Sequence, residues 1–350
     1  MGMGEFSIRR YRPGDEDAIL ELFNRVLTED DPTYVPRTMA TWRHRYIDNP
    51  MGYQVLVAED EQGTIIGNYS AMVVNCSVRG EKRVAAQAVD TVVDRAWRGS
   101  LRKSSVFVTI GRRYLKEYCH QTYDGPGDVP ADEVRNEYAY GLPNNQAFGA
   151  GTRLLGYKPV HCPMPTRVKE FDQGWVDDLQ RRAQGVTVEE DGWSSLDEVQ
   201  ALFEAHVDEV PLGIWRDATY LGWRYRDWPD VDYRILMARR DGQLVGALVF
   251  SLGWFGHPIV PLMDWIGPAA DTAAQAGLLA RVGEITLAEG GRRLETWVTP
   301  NMAQAASLEA LGFEAEDSLF NLCIMVYARD FDLDWAKGNW FFTMGDSDIY

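Results

Sequence analysis

Long apolar runs are missing from this 350-residue chain. None approaches the roughly 18 residues that a membrane-crossing helix needs, so no membrane partner is expected. The opening residues, Met1-Gly2-Met3-Gly4-Glu5-Phe6, carry neither a basic stretch nor an apolar core, so no signal peptide is expected. Cysteine is scarce: Cys76, Cys119, Cys162 and Cys323 lie far apart with no CxxC spacing. That pattern points to a reducing cytoplasm and away from a zinc site or a disulfide scaffold. The five histidines show no HExxH-type grouping either, so no metal is expected. Positive charge is also short, with 35 basic against 52 acidic residues and a formal net charge of −17. Such a surface repels phosphate backbones and argues against a nucleic-acid partner. One small basic cluster stands out, Arg98, Arg102 and Lys103 with Arg112 and Arg113 beyond. It suits a small phosphorylated ligand, or is the solvated start of a helix.

The apolar share is 45%, and 12 Trp and 16 Tyr add a heavy aromatic load. These are the materials of packed cores, and the length suits two domains better than one. The chain also repeats itself. Phe6-Ser7-Ile8-Arg9-Arg10, followed by Asp15 and a helical pattern to Leu22-Phe23, matches Val186-Thr187-Val188-Glu189-Glu190, followed by Ser195, Asp197 and Leu202-Phe203. Arg45-Tyr46-Ile47-Asp48-Asn49-Pro50 matches Arg224-Tyr225-Arg226-Asp227-Trp228-Pro229, shifted by 179 positions. Each copy then enters a hairpin pattern, Gln54–Ala58 with Gly63–Gly67 and Arg234–Ala238 with Gly242–Gly246. Further on, Pro143-Asn144 with Leu154-Leu155-Gly156-Tyr157 matches Pro300-Asn301 with Ala310-Leu311-Gly312-Phe313. Three matches in one order indicate a duplication. The first copy carries about twenty extra residues, many of them in the Pro/Gly-rich stretch 121–132, which reads as a surface loop. The expected layout is a first domain over 1–170, a charged linker over 171–184 and a second domain over 185–350.

Each half reads strand, helices, hairpin, strand, helix, strand, helix ending in Leu-Gly-aromatic, then closing strands. This order resembles the GNAT superfamily of acyl-CoA-dependent N-acyltransferases, along nearly the whole chain. The resemblance implies an α/β (α+β) fold of two tandem GNAT-like domains, each a mixed, mostly antiparallel twisted sheet flanked by helices. It makes Ala88–Val93 the family's central strand, with Trp97-Arg98-Gly99 opening the pyrophosphate loop. The family's usual R-x-x-G-x-G reads here Arg98-Gly99-Ser100-Leu101-Arg102-Lys103, with Leu101 and Lys103 at the later glycine positions. Backbone amides at a helix start still attract an anion. The implied acyl-CoA site is therefore Val92, Val93, Arg98, Gly99, Ser100, Leu101, Arg102, Lys103, Ser104, Ser105 and Asn144. In the second half, Gly267-Pro268-Ala269-Ala270-Asp271-Thr272 has no basic residue until Arg281, and Pro268 lacks an amide donor. The second domain is expected to be degenerate.

Acyl transfer to an amine requires removal of a proton, polarisation of the thioester and stabilisation of the departing thiolate. The base candidates are Asp90 and Glu137, each of which can equally be a structural carboxylate. A family tyrosine would fall at Gly151, so the acid candidates become Tyr138 and Tyr140, which alternate onto one face. Asn144 can hold the pantetheine arm or cap a helix. The aromatic tail Asn339–Asp348 should fold back on the body, which would let Asp346 and Asp348 receive a cationic amine; otherwise they are solvated acids on a docked tail. The resulting expectation is a cytoplasmic N-acyltransferase, monomer or homodimer. It would move an acetyl or other acyl group from acetyl-CoA or another acyl-CoA to a primary amine of a small metabolite or amino sugar. The alternatives are a noncatalytic acyl-CoA- or metabolite-binding protein and an aminoacyl-tRNA-dependent transferase, which the charge disfavours.

Overall fold

The structure, a computed structural model, describes residues 5–98, 105–119, 121–122, 125–126, 136–190, 192–253, 259–326 and 331–349. In chain order the first half carries β1 (Phe6–Arg10), α1 (Glu16–Asp30), α2 (Met39–Tyr46), β2 (Tyr53–Asp60), β3 (Ile65–Val78) and β4 (Glu81–Val93). It continues with α3 (Val106–Tyr118), the two-residue strands β5 (Gln121–Thr122) and β6 (Gly125–Pro126), β7 (Tyr138–Gly141), α4 (Asn145–Leu154) and β8 (Lys158–His161). Then follow β9 (Pro165–Glu170), α5 (Gln173–Arg182), β10 (Thr187–Glu190), α6 (Leu196–Ala205), β11 (Leu212–Ile214), α7 (Ala218–Leu221), β12 (Tyr233–Arg240) and β13 (Gln243–Ser251). The chain closes with β14 (Val260–Ile266), α8 (Thr272–Ala288), β15 (Arg293–Thr296), α9 (Ala303–Ala310), β16 (Glu314–Asp317), β17 (Leu322–Val326) and α10 (Leu333–Asn339).

Two compact units result. The first holds residues up to Asn75, Arg83–Cys162 and Phe320–Leu333. The second holds Cys76–Lys82, Pro163–Leu319 and the chain from Asp334 onward. The first sheet runs β1-β2-β3-β4-β7-β17-β8 and the second β10-β12-β13-β14-β15-β9-β16, the same order twice. The pairs β1·β2, β2·β3, β7·β17, β17·β8, β10·β12, β12·β13, β13·β14, β15·β9 and β9·β16 are antiparallel, and the central pairs β4·β7 and β14·β15 are parallel. The last place but one in each sheet is filled by a strand from the other half: β17 lies between β7 and β8, and β9 between β15 and β16. The duplicated fold is therefore completed by strand exchange.

This corrects the expected boundaries. Pro165–Glu170 belongs to the second sheet, because its ladder runs to Arg293–Thr296 on one side and Glu314–Asp317 on the other. The stretch read as a linker is a helix: Asp172 accepts from the Trp175 amide and caps α5, whose Val176 and Leu179 are buried. Val176 comes so close to Gly283 on α8 that a methyl there would meet it at 2.8 Å. Alternating apolar residues make a strand, but they do not say which ladder will satisfy its backbone.

The first unit's core gathers Leu56, Tyr69, Val106, Ile110, Tyr114 and Leu115 between β2–β4 and α3. The tail packs within the second unit, where Trp340, Phe341, Phe342 and Met344 are at most 1% exposed. A side chain at Gly345 would collide with the Tyr225 hydroxyl at 1.9 Å, so the tail approaches α7 and the turn after it as bare backbone.

Candidate functional site

The parallel pairing of β4 with β7 covers only Ala86–Gln87 against Ala139–Tyr140, while β4 runs on to Val93. Beyond that point β4 has no β7 alongside, and a cavity of about 300 Å³ opens. Its walls are Thr91, Val92 and Val93 of β4, Trp97 and Arg98 of the following turn, and Leu27, Asp30 and Asp31 at the end of α1. Two helix starts complete it, Ser105 and Phe107 at α3 and Asn144, Gln146, Ala147 and Ala150 at α4. Both helices aim their N-terminal amides at this side of the sheet, where an anion is favoured. Ser105 and Asn144 are the respective caps, accepting from Val108 N at 3.4 Å and Ala147 N at 2.9 Å.

Of the residues expected to hold acyl-CoA, Val92, Val93, Arg98, Ser105 and Asn144 line this one cleft. Gly99, Ser100, Leu101, Arg102, Lys103 and Ser104 lie outside the described residues. Arg98 is anchored on both sides. Its Nε donates to the Val93 carbonyl at 2.9 Å, and its guanidinium reaches Asp30 at 3.0 Å. Burial pushes the Asp30 carboxyl up, but Arg95 and Arg98 outweigh it and hold it below the usual carboxylate range.

The candidate acids and bases sit elsewhere. Asp90 takes a left-handed φ of +54° on β4, and its carbonyl accepts from Asn68 Nδ2 at 2.9 Å. Asp tolerates this conformation better than most residues. Its buried carboxylate is paired with Arg37, lies 3.5 Å from Arg45 and accepts from the Tyr46 hydroxyl at 2.8 Å. Glu137 pairs with Arg83 at 3.4 Å. Tyr138 and Tyr140 share a face with ring centroids 6.1 Å apart, but they are 0% and 1% exposed and neither lines the cleft. The absent tyrosine at Gly151 has a steric cause. A Cβ there would lie 2.2 Å from the Tyr157 ring, whose hydroxyl meets that of Tyr69 at 2.8 Å.

The Asp90 constellation recurs in the second unit around Asp264, with the arginines and tyrosine shifted by 179 residues. Arg216, Arg224 and Tyr225 stand where Arg37, Arg45 and Tyr46 stand in the first, and Tyr225 donates to Asp264 at 3.0 Å. Arg216 is wholly buried between Asp264 at 3.1 Å and Asp346 at 2.7 Å. Arg224 donates to the carbonyls of Gly345 and Ser347. Asp346 is therefore committed inside the second unit, where it also accepts from the Thr343 amide, and this geometry corrects the expectation of an amine-receiving carboxylate. Asp348 is half-buried beside it in sequence.

Burial, opposed by Arg216 and reinforced by Asp264, pushes the Asp346 carboxyl up to about 6. The native protein thus holds this proton more tightly than the unfolded chain. The stabilisation is complete below the ordinary value of 3.8 and disappears as pH rises through about 6. Asp15, Asp30, Asp94 and Asp271 have lowered values and act at lower pH. Between pH 8 and pH 5 the melting temperature should therefore rise on acidification, by the equivalent of about 1.4 kcal/mol from this group. Asp346→Asn should flatten the slope in a pH series of thermal melts; equal slopes would refute the assignment.

The second unit has its own notch at the matching ends of β13, β14, α8 and α9, but it holds only about 20 Å³. Its helix start is already satisfied by the chain's own carboxylates. Asp271 caps α8 through Ala274 N at 3.0 Å and is gripped by Arg240, and Glu209 accepts from Ala269 N at 2.8 Å.

The residues that sequence reasoning passed over are the end of α1, Phe107 and the first turns of α4; Trp97, named at the opening of the loop, also lines the cleft. One signal was present: Glu29-Asp30-Asp31 puts three acids at a helix C-terminus, where the dipole disfavours them. The Arg37/Arg216 match at the same 179-residue shift was another.

Among the described residues, no group of three His, Cys, Asp or Glu is placed to hold a metal, and no helix is long and apolar enough to cross a membrane. No family model and no curated protein matches the chain. Solved structures do match. A GCN5-related N-acetyltransferase from Anabaena variabilis superposes with a TM-score of 0.64 at 11% identity, covering 92% of this chain and 73% of that one. A tandem GNAT protein from the clavulanic acid biosynthesis pathway gives 0.54 at 13% identity, covering 93% of this chain and all of that one. The glucosamine N-acetyltransferase region of a fungal multi-domain GH3 β-N-acetylglucosaminidase gives 0.59 at 14% identity, covering 93% of this chain and 38% of that one. With the strand order of both sheets, these likenesses establish that the chain has the tandem GNAT fold.

Proposed function

We propose that the first unit binds acyl-CoA in the cleft between β4 and α4 and transfers its acyl group to a primary amine of a small molecule. The observation that carries this reading is the contrast between the two units. The cleft of about 300 Å³ lies against two helix starts, whereas its counterpart holds only about 20 Å³ and has in its wall Asp271, which caps α8 and is gripped by Arg240. The second unit is then a degenerate partner, and the protein works in the cytoplasm. The likeness to a fungal glucosamine N-acetyltransferase region makes amino sugars a sensible first group of acceptors to assay.

In the reaction the amine nitrogen attacks the thioester carbonyl, the C–N bond forms, the C–S bond breaks and CoA leaves as a thiolate that takes up a proton. The amide N–H groups near Val92 and Val93 would polarise the carbonyl. Asp90 and Glu137 are held by arginines, and the carboxylates in the cleft, Asp30 and Asp31, have lowered values and are weak bases. Catalysis would rest on holding amine and thioester together in a cleft walled by Leu27, Val92, Val93 and Phe107. The same commitments favour a second reading, a noncatalytic acyl-CoA-binding protein.

Acetyl-CoA at a hundred times its dissociation constant should stabilise the native state by about 2.7 kcal/mol, visible as a raised melting temperature. No shift with acetyl-CoA or longer acyl-CoA thioesters would refute both readings. A shift without CoA thiol release across a panel of amines and amino sugars would leave the noncatalytic one.

A further inference from the structure

We propose that Asp30 is a built-in competitor for the anion site of the cleft, an internal carboxylate that acyl-CoA must displace from Arg98 and Arg95. The inference rests on the acyl-CoA reading above and adds a residue that tunes the affinity of that site.

Asp30 is the last residue of α1, between Glu29 and Asp31, and no basic residue lies in that helical turn. The helix dipole places partial negative charge at this end, so three consecutive acids here oppose local helix stability. What offsets them comes from the turn after β4. Arg95 grips the Asp30 carboxylate, donates to the Glu29 carbonyl at 2.8 Å and lies 3.3 Å from the Glu29 carboxylate. Arg98 reaches the other Asp30 oxygen at 3.0 Å. Both Asp30 and Arg98 line the cavity, and their side chains remain 35% and 25% exposed, so a dissolved anion can reach the pair.

The geometry of Arg98 decides what happens on displacement. Its Nε stays on the Val93 carbonyl, which fixes the side chain against β4, while the NH1 end that Asp30 occupies faces the cavity wall. A pyrophosphate carries more charge than one carboxylate and can take both guanidiniums at once. A half-exposed ion pair of this kind is weak enough to exchange. Asp30 is thus a positioning residue that acts through two arginines and does not touch the reacting atoms. It keeps the arginines in place before the ligand arrives and lowers affinity for it.

Isothermal titration of the full chain with CoA at low ionic strength tests this. Asp30→Asn should bind CoA about two- to fivefold more tightly than the wild type, the release expected from a partly exposed pair. Asp30→Glu should restore the wild-type affinity. In an Arg95→Ala, Arg98→Ala background, Asp30→Asn should give no gain. Removing an acid from a helix C-terminus does not threaten folding, and Asp30→Ser serves as a second neutral replacement. A carboxylate that merely braces the arginines predicts the opposite sign. Unchanged or weaker CoA binding by Asp30→Asn, with the wild type binding measurably, overturns this proposal and leaves the acyl-CoA site standing. If neither the wild type nor any variant binds CoA at millimolar concentration, the acyl-CoA site and this proposal fall together.

Discussion

Arg216→Leu should destabilise the second unit by about 3–5 kcal/mol, the scale for removing one partner of a buried charge network. Arg216 is 0% exposed and is the counter-ion of two wholly buried carboxylates, Asp264 and Asp346. Its NH1 group also donates to the Ile214 carbonyl at 2.5 Å, which leaves that oxygen unsatisfied as well. A leucine fills much of the volume but neutralises nothing. The tail would lose one of its anchors, because Arg216 holds the Asp346 carboxylate at 2.7 Å. Urea unfolding should show the midpoint falling sharply. The triple variant Arg216→Leu, Asp264→Asn, Asp346→Asn should recover part of the loss, because the cost lies in stranded charge more than in lost volume. If the single and triple variants unfold alike, the network is not what the leucine disrupts. Arg37→Leu, the matching change in the first unit, should cost less, since Arg37 is 18% exposed and water can reach Asp90's surroundings.

Ala147→Trp should abolish any melting-temperature shift produced by acetyl-CoA while leaving the unliganded melting temperature nearly unchanged. Ala147 sits on the first turn of α4, lines the cleft and is only half-buried. Its amide is the one that Asn144 caps, and a larger side chain leaves that bond intact. An indole on this wall projects into a cavity of only about 300 Å³ and takes up space that the ligand needs. Titration calorimetry should read at least a hundredfold loss of acetyl-CoA affinity. A retained shift would place the ligand outside this cleft. Gln304→Trp in the second unit's small notch should have no effect on acetyl-CoA binding, which guards against a general disturbance of folding.

Much of this molecule was legible before any coordinates. Arg45-Tyr46 and Arg224-Tyr225 marked the repeat, and in each unit the tyrosine of the pair donates to a buried aspartate, Asp90 or Asp264. The resemblance grouped Val92, Val93, Arg98, Ser105 and Asn144, and the fold places them around one cleft. The end of α1 could not be grouped with them. Nothing in Leu27 or Asp30 says which strand end the helix will pack beside, and Arg98 reads as a phosphate ligand until Asp30 is seen in its grip. Tyr138, Tyr140 and Glu137 show the converse: the alternation was right, but only packing reveals that the rings are buried away from the cleft and that Glu137 faces Arg83.

Local pattern thus carried the duplication and most of the element types, since each depends on residues within a few positions of one another, but it missed α5 in the stretch read as a linker. Tertiary structure alone decided that β9 and β17 would exchange sheets, because backbone ladders accept any strand whose apolar face matches. It alone decided that Tyr157 would fill the space above Gly151, and that Asp346 would close onto Arg216, 130 positions away. Such partnerships depend on burial, and burial is a property of the folded chain.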